Sequence, residues 1–169
     1  MNLEVRPSLE KFNIRKLTEE DADKYREIRL KGLETDPQGF GSNIEEESQK
    51  DDEFWKRRLG NPERSFYVAE EGDKFVSTAA SRKLDQDNYI IMAVYTLPEF
   101  RGKNLSTQLI NQLISDAKQK GVKKMSLHVK IDNENAIKVY EKIGFKITEV
   151  YEQDGKITDS YTMEKDIAQ

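Results

Sequence analysis

A mixed α/β (α+β) sheet, mostly antiparallel with one parallel pair at its centre and helices on both faces, is predicted by three features of this chain. Residues 89–97 form an apolar run of strand length that turns through Arg101-Gly102-Lys103-Asn104 into Leu105, Leu109, Ile110, Leu113, Ile114 and Ala117, which recur with helical period. A second strand and helix follow over 124–131 and 133–144, so two strands flank a helical crossover and should lie parallel. Gly72-Asp73 and Asp154-Gly155 each separate two strand-like runs, which reads as a hairpin on either side of that unit.

The elements follow in order. Residues 12–17 read as a first strand, and Thr18-Glu19-Glu20-Asp21 opens a helix that turns Ala22, Tyr25, Ile28 and Leu33 inward. Asp36-Pro37-Gln38-Gly39 breaks it, and a second helix is expected over 51–59 with Phe54, Trp55 and Leu59 as its apolar residues. Strands over 65–69 and 74–81 precede the central strand at 89–97. The long helix then runs to about Lys120, and a strand follows over 124–131. Asp132 or Asn133 caps the next helix, whose face is Ala136, Ile137, Tyr140 and Ile143, and Gly144 stops it.

Composition bounds the function. The 169 residues suit a single domain, with 1–11 as an N-terminal extension. There is no cysteine and one histidine, so a thiolate nucleophile is excluded and no metal site is expected. No apolar run reaches membrane-spanning length, and a soluble cytoplasmic protein without a membrane partner is expected. A net charge of −4 argues against a general nucleic-acid binder. Glycines are too sparse between Arg101 and Thr107 for a P-loop or dinucleotide turn.

The junction at 101–107 carries the chemistry. The first N–H groups of a helix lack intrahelical partners and sit at the positive end of its dipole, so an anion is their natural occupant. Basic residues in a connecting turn are usually only solvated, yet a second cluster, Asn133-x-x-Ala136-x-x-x-Tyr140-x-x-x-Gly144-Phe145, stands about thirty residues on. Together with Pro98, Arg101 and Gly102, these residues resemble the motifs of the Gcn5-related N-acetyltransferases (GNAT), and weaker likeness covers nearly the whole chain. Asn104 and Ser106 depart from the family's glycine positions. Asn enters the left-handed region most readily among non-glycine residues, and a serine hydroxyl can donate to a phosphate oxygen.

The resemblance implies a GNAT-like sheet whose central parallel strands splay apart, with acetyl-CoA as co-substrate held in the gap. The pantetheine arm would pair with strand backbone at Val94, Tyr95 and Thr96, and its pyrophosphate would meet Arg101, Gly102, Lys103, Asn104, Leu105, Ser106 and Thr107, with Asn133 nearby. Tyr140 is the expected catalytic acid for the departing thiolate, because a phenol of pKa about 10 is reasonably matched to a thiol of about 8.5. The competing reading is a ring packed in the core.

Deprotonating the amine needs a base or a water chain. Alternation along 125–131 puts Ser126, His128 and Lys130 on one face, and some relatives carry a base at the position of His128. Glu99 is a weaker, solvent-facing candidate. The acceptor groove, by resemblance, brings in Phe40, Glu45, Glu46, Glu47, Tyr151 and Tyr161; an acidic rim there would suit a polyamine, an aminoglycoside or a peptide amino terminus, although charge runs are usually solvated faces. The expected function is direct acetyl transfer to a primary amine of a small molecule or peptide. A non-catalytic acyl-CoA-binding module of the same fold is the alternative, and a homodimer stays open.

Overall fold

The computed structural model describes residues 12–36 and 43–168. One two-residue turn sets the register of the first half of the sheet. β1 (Asn13–Lys16) pairs antiparallel with β2 (Arg64–Glu71), and Gly72-Asp73 returns the chain as β3 (Lys74–Lys83). β4 (Asn88–Thr96) is antiparallel to β3, β5 (Lys124–Lys130) is parallel to β4, and β7 (Lys156–Asp166) lies between β5 and β6 (Lys146–Gln153). The order across the seven strands is β1-β2-β3-β4-β5-β7-β6, the mixed, mostly antiparallel sheet with one parallel pair that the sequence predicts.

Helices cover both faces. α4 (Leu105–Gln119) buries all six predicted apolar residues against β2, β3 and β4, and the Tyr67 hydroxyl ties it to the sheet by donating to Asp116 at 2.8 Å. Each of the five leucine and isoleucine side chains among them contributes about 1.5–3 kcal/mol relative to exposure. Neighbouring residues of a strand point oppositely, so Phe66 faces away from α4. There it meets Tyr25 of α1 (Ala22–Thr35) at 5.2 Å between ring centroids, and Tyr25 meets Trp55 of α3 (Asp52–Gly60) at 6.1 Å. α3 starts one residue later than expected because the Asp51 side chain accepts from the Phe54 N–H at 2.9 Å.

Two features are absent from the sequence reading. α2 (Ile44–Ser48), capped by Asn43, occupies what reads as a solvated acidic run. β4 is not a regular strand either: Thr78 pairs with Tyr95 but Ala80 with Met92, so Ala79 faces two residues, and Ala93 takes φ 54°. This bulge bends β4. Its parallel pairing with β5 covers only Asn88, Tyr89 and Ile90 against Lys124, Met125 and Ser126. Past those residues β5 stays with β7, β4 stays with β3, and a gap opens between them.

Candidate active site

The turn between β4 and α4 faces the open end of that gap. Gly102 and Asn104 both take the left-handed conformation, at φ 77° and 64°. Glycine and asparagine are the residues that tolerate it, so Asn104 keeps the turn as expected. The first backbone bond of α4 runs from Gln108 N–H to Asn104 C=O at 3.2 Å. Among the described residues the N–H groups of Gly102 through Thr107 therefore have no acceptor, and they stand at the positive end of a 15-residue helix. Lys103 is exposed, while Ser106 and Thr107 are half-buried. These residues fit a pyrophosphate.

Arg101 is placed differently from expectation. Its Nε donates to the Thr96 carbonyl at 3.1 Å and its guanidinium lies 5.9 Å from the centre of the Tyr95 ring. It thus locks the turn to the end of β4, leaving its terminal nitrogens for an anion. Thr96 C=O, reached from the gap side, and Val94, two residues before it, point their backbone groups where β5 has departed. Tyr95 does not: its carbonyl accepts from Ser77 Oγ at 3.2 Å on the β3 side. Backbone polar groups alternate sides along a strand, so Tyr95 drops from the expected pairing set while Val94 and Thr96 remain. The Tyr95 side chain instead hydrogen-bonds Thr35 of α1 through its hydroxyl at 2.8 Å.

α5 (Glu134–Ile143) closes the other wall. Asn133 caps it, its Oδ1 accepting from the Ala136 N–H at 3.2 Å, so only its amide NH2 is left for a ligand. Gly144, at φ 112°, ends the helix with its N–H on the Tyr140 and Glu141 carbonyls. Tyr140 is half-buried, its ring edge-on to Phe145 at 6.4 Å, and its hydroxyl makes no hydrogen bond among the described residues. Burial pushes its phenol up to about 12, so it carries its proton at neutral pH.

The sequence model of the acetyltransferase (GNAT) family matches residues 22–145. The chain belongs to this family. It is 27% identical over 158 residues to an uncharacterised N-acetyltransferase of Methanocaldococcus jannaschii; the match covers 88% of this chain and 66% of that relative's length. In structure it resembles the PaiA N-acetyltransferase of Thermoplasma acidophilum in complex with coenzyme A, with a TM-score of 0.72, 23% identity, and 92% and 98% of the two chains covered. It resembles equally YncA of Salmonella typhimurium with acetyl-CoA, at a TM-score of 0.72, 21% identity and coverage of 94% and 95%. At these identities the structural likeness speaks for the fold.

Within this GNAT fold, β5 alternates as predicted: Met125, Leu127 and Val129 are buried, and Ser126, His128 and Lys130 face the other way. His128 Nδ1 lies 3.3 Å from Thr162 Oγ1, and its ring stacks on Tyr151 at 3.7 Å and 23°, a contact across three strands with no local signal in the sequence. Desolvation lowers the histidine's pKa below its ordinary 6.5 despite the opposing charge of Glu149. Lys130 is engaged by Asp159, and Glu99 is exposed beside Lys74, as expected.

Two groove expectations change, at Tyr161 and Glu47. Tyr161 stands opposite Val129 and so lies on the face away from His128. Phe40 falls outside the described residues. Glu47 is not on an acidic rim: it is 4% exposed and bound to Arg29 Nε and Nη2 at 3.1 and 3.0 Å and to Arg58 Nη1 at 2.9 Å. Burial would raise its pKa, but the two guanidinium groups outweigh burial and hold it low. The triad pins α2 to α1 and α3. Glu45 and Glu46 remain exposed.

Proposed function

We propose that this chain is an acetyl-CoA-dependent N-acetyltransferase that moves the acetyl group directly to a primary amine of a small molecule or peptide. The observation that carries the reading is the parting of β4 and β5 beyond Ile90 and Ser126, directly below a turn of six unpartnered N–H groups. Val94 and Thr96 offer the backbone pairing that an amide-containing arm needs, and residues 101–107 offer the anion site. Among the described residues no cluster fit to hold a metal occurs.

The chemistry follows from two protonation states. At pH 7 only about one primary amine in a few thousand is neutral, given a pKa near 10.4. His128, neutral there and facing away from α4, takes the proton directly or through water. The amine nitrogen then forms its bond to the thioester carbon, the C–S bond breaks with its electron pair on sulfur, and the proton that the new amide nitrogen sheds ends on that sulfur, giving the free thiol. The Tyr140 hydroxyl donates to that sulfur. Thiol release measured with acetyl-CoA and a panel of amines, beside calorimetric CoA titration, tests the reading; tight CoA binding with no turnover on any amine would establish the non-catalytic alternative.

A further inference from the structure

A row of paired residues crosses the sheet on the face that carries His128. Arg64 pairs with Arg82, Arg82 with Ile90, Ile90 with Ser126, and Ser126 with Glu164, and directly paired residues share a face. Every member of the row is only half-buried, so each keeps part of its surface open along a shallow trough, which the C-terminal end of α3 borders at Arg64. His128 lies two residues along β5 from Ser126. Two strand spacings and two residues put the Arg82 and His128 Cα atoms about 12 Å apart.

Among the described residues no acidic side chain pairs with the Arg end of the trough. Like charges directly opposite on paired strands destabilise a sheet, yet Arg64 and Arg82 stand so, and among the described residues neither they nor Arg57 has an ion-pair partner. Arg58 is already held by Glu47. Arg64 also lines a cleft of about 390 Å³ with Phe54, Arg57, Arg58 and Asn61. Asn61 accepts the Glu63 N–H through Oδ1, which leaves its amide NH2 as one more donor. The Trp55 indole N–H, buried beside Phe54 and Arg58, lacks an acceptor among the described residues as well. Desolvation and the charges of Arg58 and Arg82 depress the Arg64 guanidinium's pKa, as in a cationic cluster awaiting an anion. At the opposite end Glu164 is paired with Lys124 at 3.1 Å, so the trough is polarised toward the arginines.

We infer that Arg64 and Arg82 form an acceptor subsite for an anionic group, a carboxylate or phosphate, carried by the same molecule whose amine reaches His128. This deepens the acetyltransferase reading and rests on it for the amine end. It opposes a polyamine acceptor, since the acidic rim that would favour one loses Glu47 to its arginine pair.

The test uses four probes of one length: ω-aminooctanoate, ω-aminooctyl phosphate, ω-aminooctanamide and octanediamine. The kcat/KM of one or both anionic probes should exceed that of the amide by about tenfold or more, the scale of a charge-assisted hydrogen bond, with the diamine lowest. Which anion leads distinguishes a carboxylate from a phosphate acceptor. In Arg64→Gln and Arg82→Gln the ratio of anionic probe to amide should fall toward one, with CoA titration reporting that each variant is folded. Independently of turnover, the arginine Nε–H NMR signals of residues 64 and 82 should move on adding an anionic probe and stay with the amide. Absence of acetyl transfer to every probe would sink the acetyltransferase reading alone if those signals still move. Unmoved signals, or a diamine turned over as well as the anions, would overturn the subsite.

Discussion

Tyr140→Phe removes one hydroxyl and nothing else, and the structure sets the size of its effect. The hydroxyl has no hydrogen-bond partner among the described residues, so its loss should leave the urea midpoint and CoA affinity unchanged. With the phenol pushed up to about 12, full proton transfer to a thiol near 8.5 is uphill by about 3.5 pKa units, or about 5 kcal/mol at 1.36 kcal/mol per unit. Tyr140 is only half-buried, which makes that gap an upper bound. The job that remains is a hydrogen bond donated to sulfur as charge builds on it, worth about 1.5–3 kcal/mol to a charged acceptor. The expected fall in kcat is therefore about 10- to 150-fold at 1.36 kcal/mol per decade. Steady-state thiol release under saturating acetyl-CoA measures it. Full turnover by the variant would refute the assignment, and a loss confined to CoA affinity would make Tyr140 a wall of the gap only.

Other perturbations separate neighbouring roles. Glu47→Gln removes the carboxylate charge shared by buried Arg29 and part-buried Arg58 and should cost about 3–5 kcal/mol in chemical denaturation. Because the folded pKa of Glu47 lies below its unfolded value, its stabilisation is complete above the ordinary carboxylate pKa and is lost as pH falls through the depressed one; the variant should show less acid lability than the parent. Asn104→Gly should keep or strengthen CoA binding, whereas Asn104→Ala, with no side chain to ease the left-handed φ of 64°, should weaken it by about 1 kcal/mol. Arg101→Ala should weaken CoA by about 1–3 kcal/mol in calorimetry, since it removes a cation from the anion site and frees the Thr96 carbonyl. The acidic limb of kcat/KM should have its midpoint below 6.5, because desolvation keeps His128 neutral to lower pH, and His128→Gln should abolish that limb; an unmoved profile would return His128 to a packing role.

What was legible in the chain is what local chemistry encodes. Periodicity placed α4 and its six buried residues, and the turn residues placed both hairpins. Asn104 could be read because its conformational freedom is intrinsic. Ala93 could not, since alanine carries no preference for φ 54° and the bulge is imposed by how β3 and β4 meet. The same limit applied to Tyr95, whose neighbours Val94 and Thr96 differ from it only in which side of β4 their backbone faces.

Charge was the least legible property, for a physical reason. Glu45, Glu46 and Glu47 are identical in local sequence, yet two are solvated and one is buried between arginines 18 and 11 residues away. Arg64 and Arg82, 18 positions apart, fall just outside the strands expected over 65–69 and 74–81, and only register sets them side by side. Pairing distant residues converts an apparent acidic surface into an internal strut and two scattered cations into one unneutralised site. The sign of the acceptor that the trough favours is thus a property of register, and it is opposite to the sign suggested by counting acids along the chain.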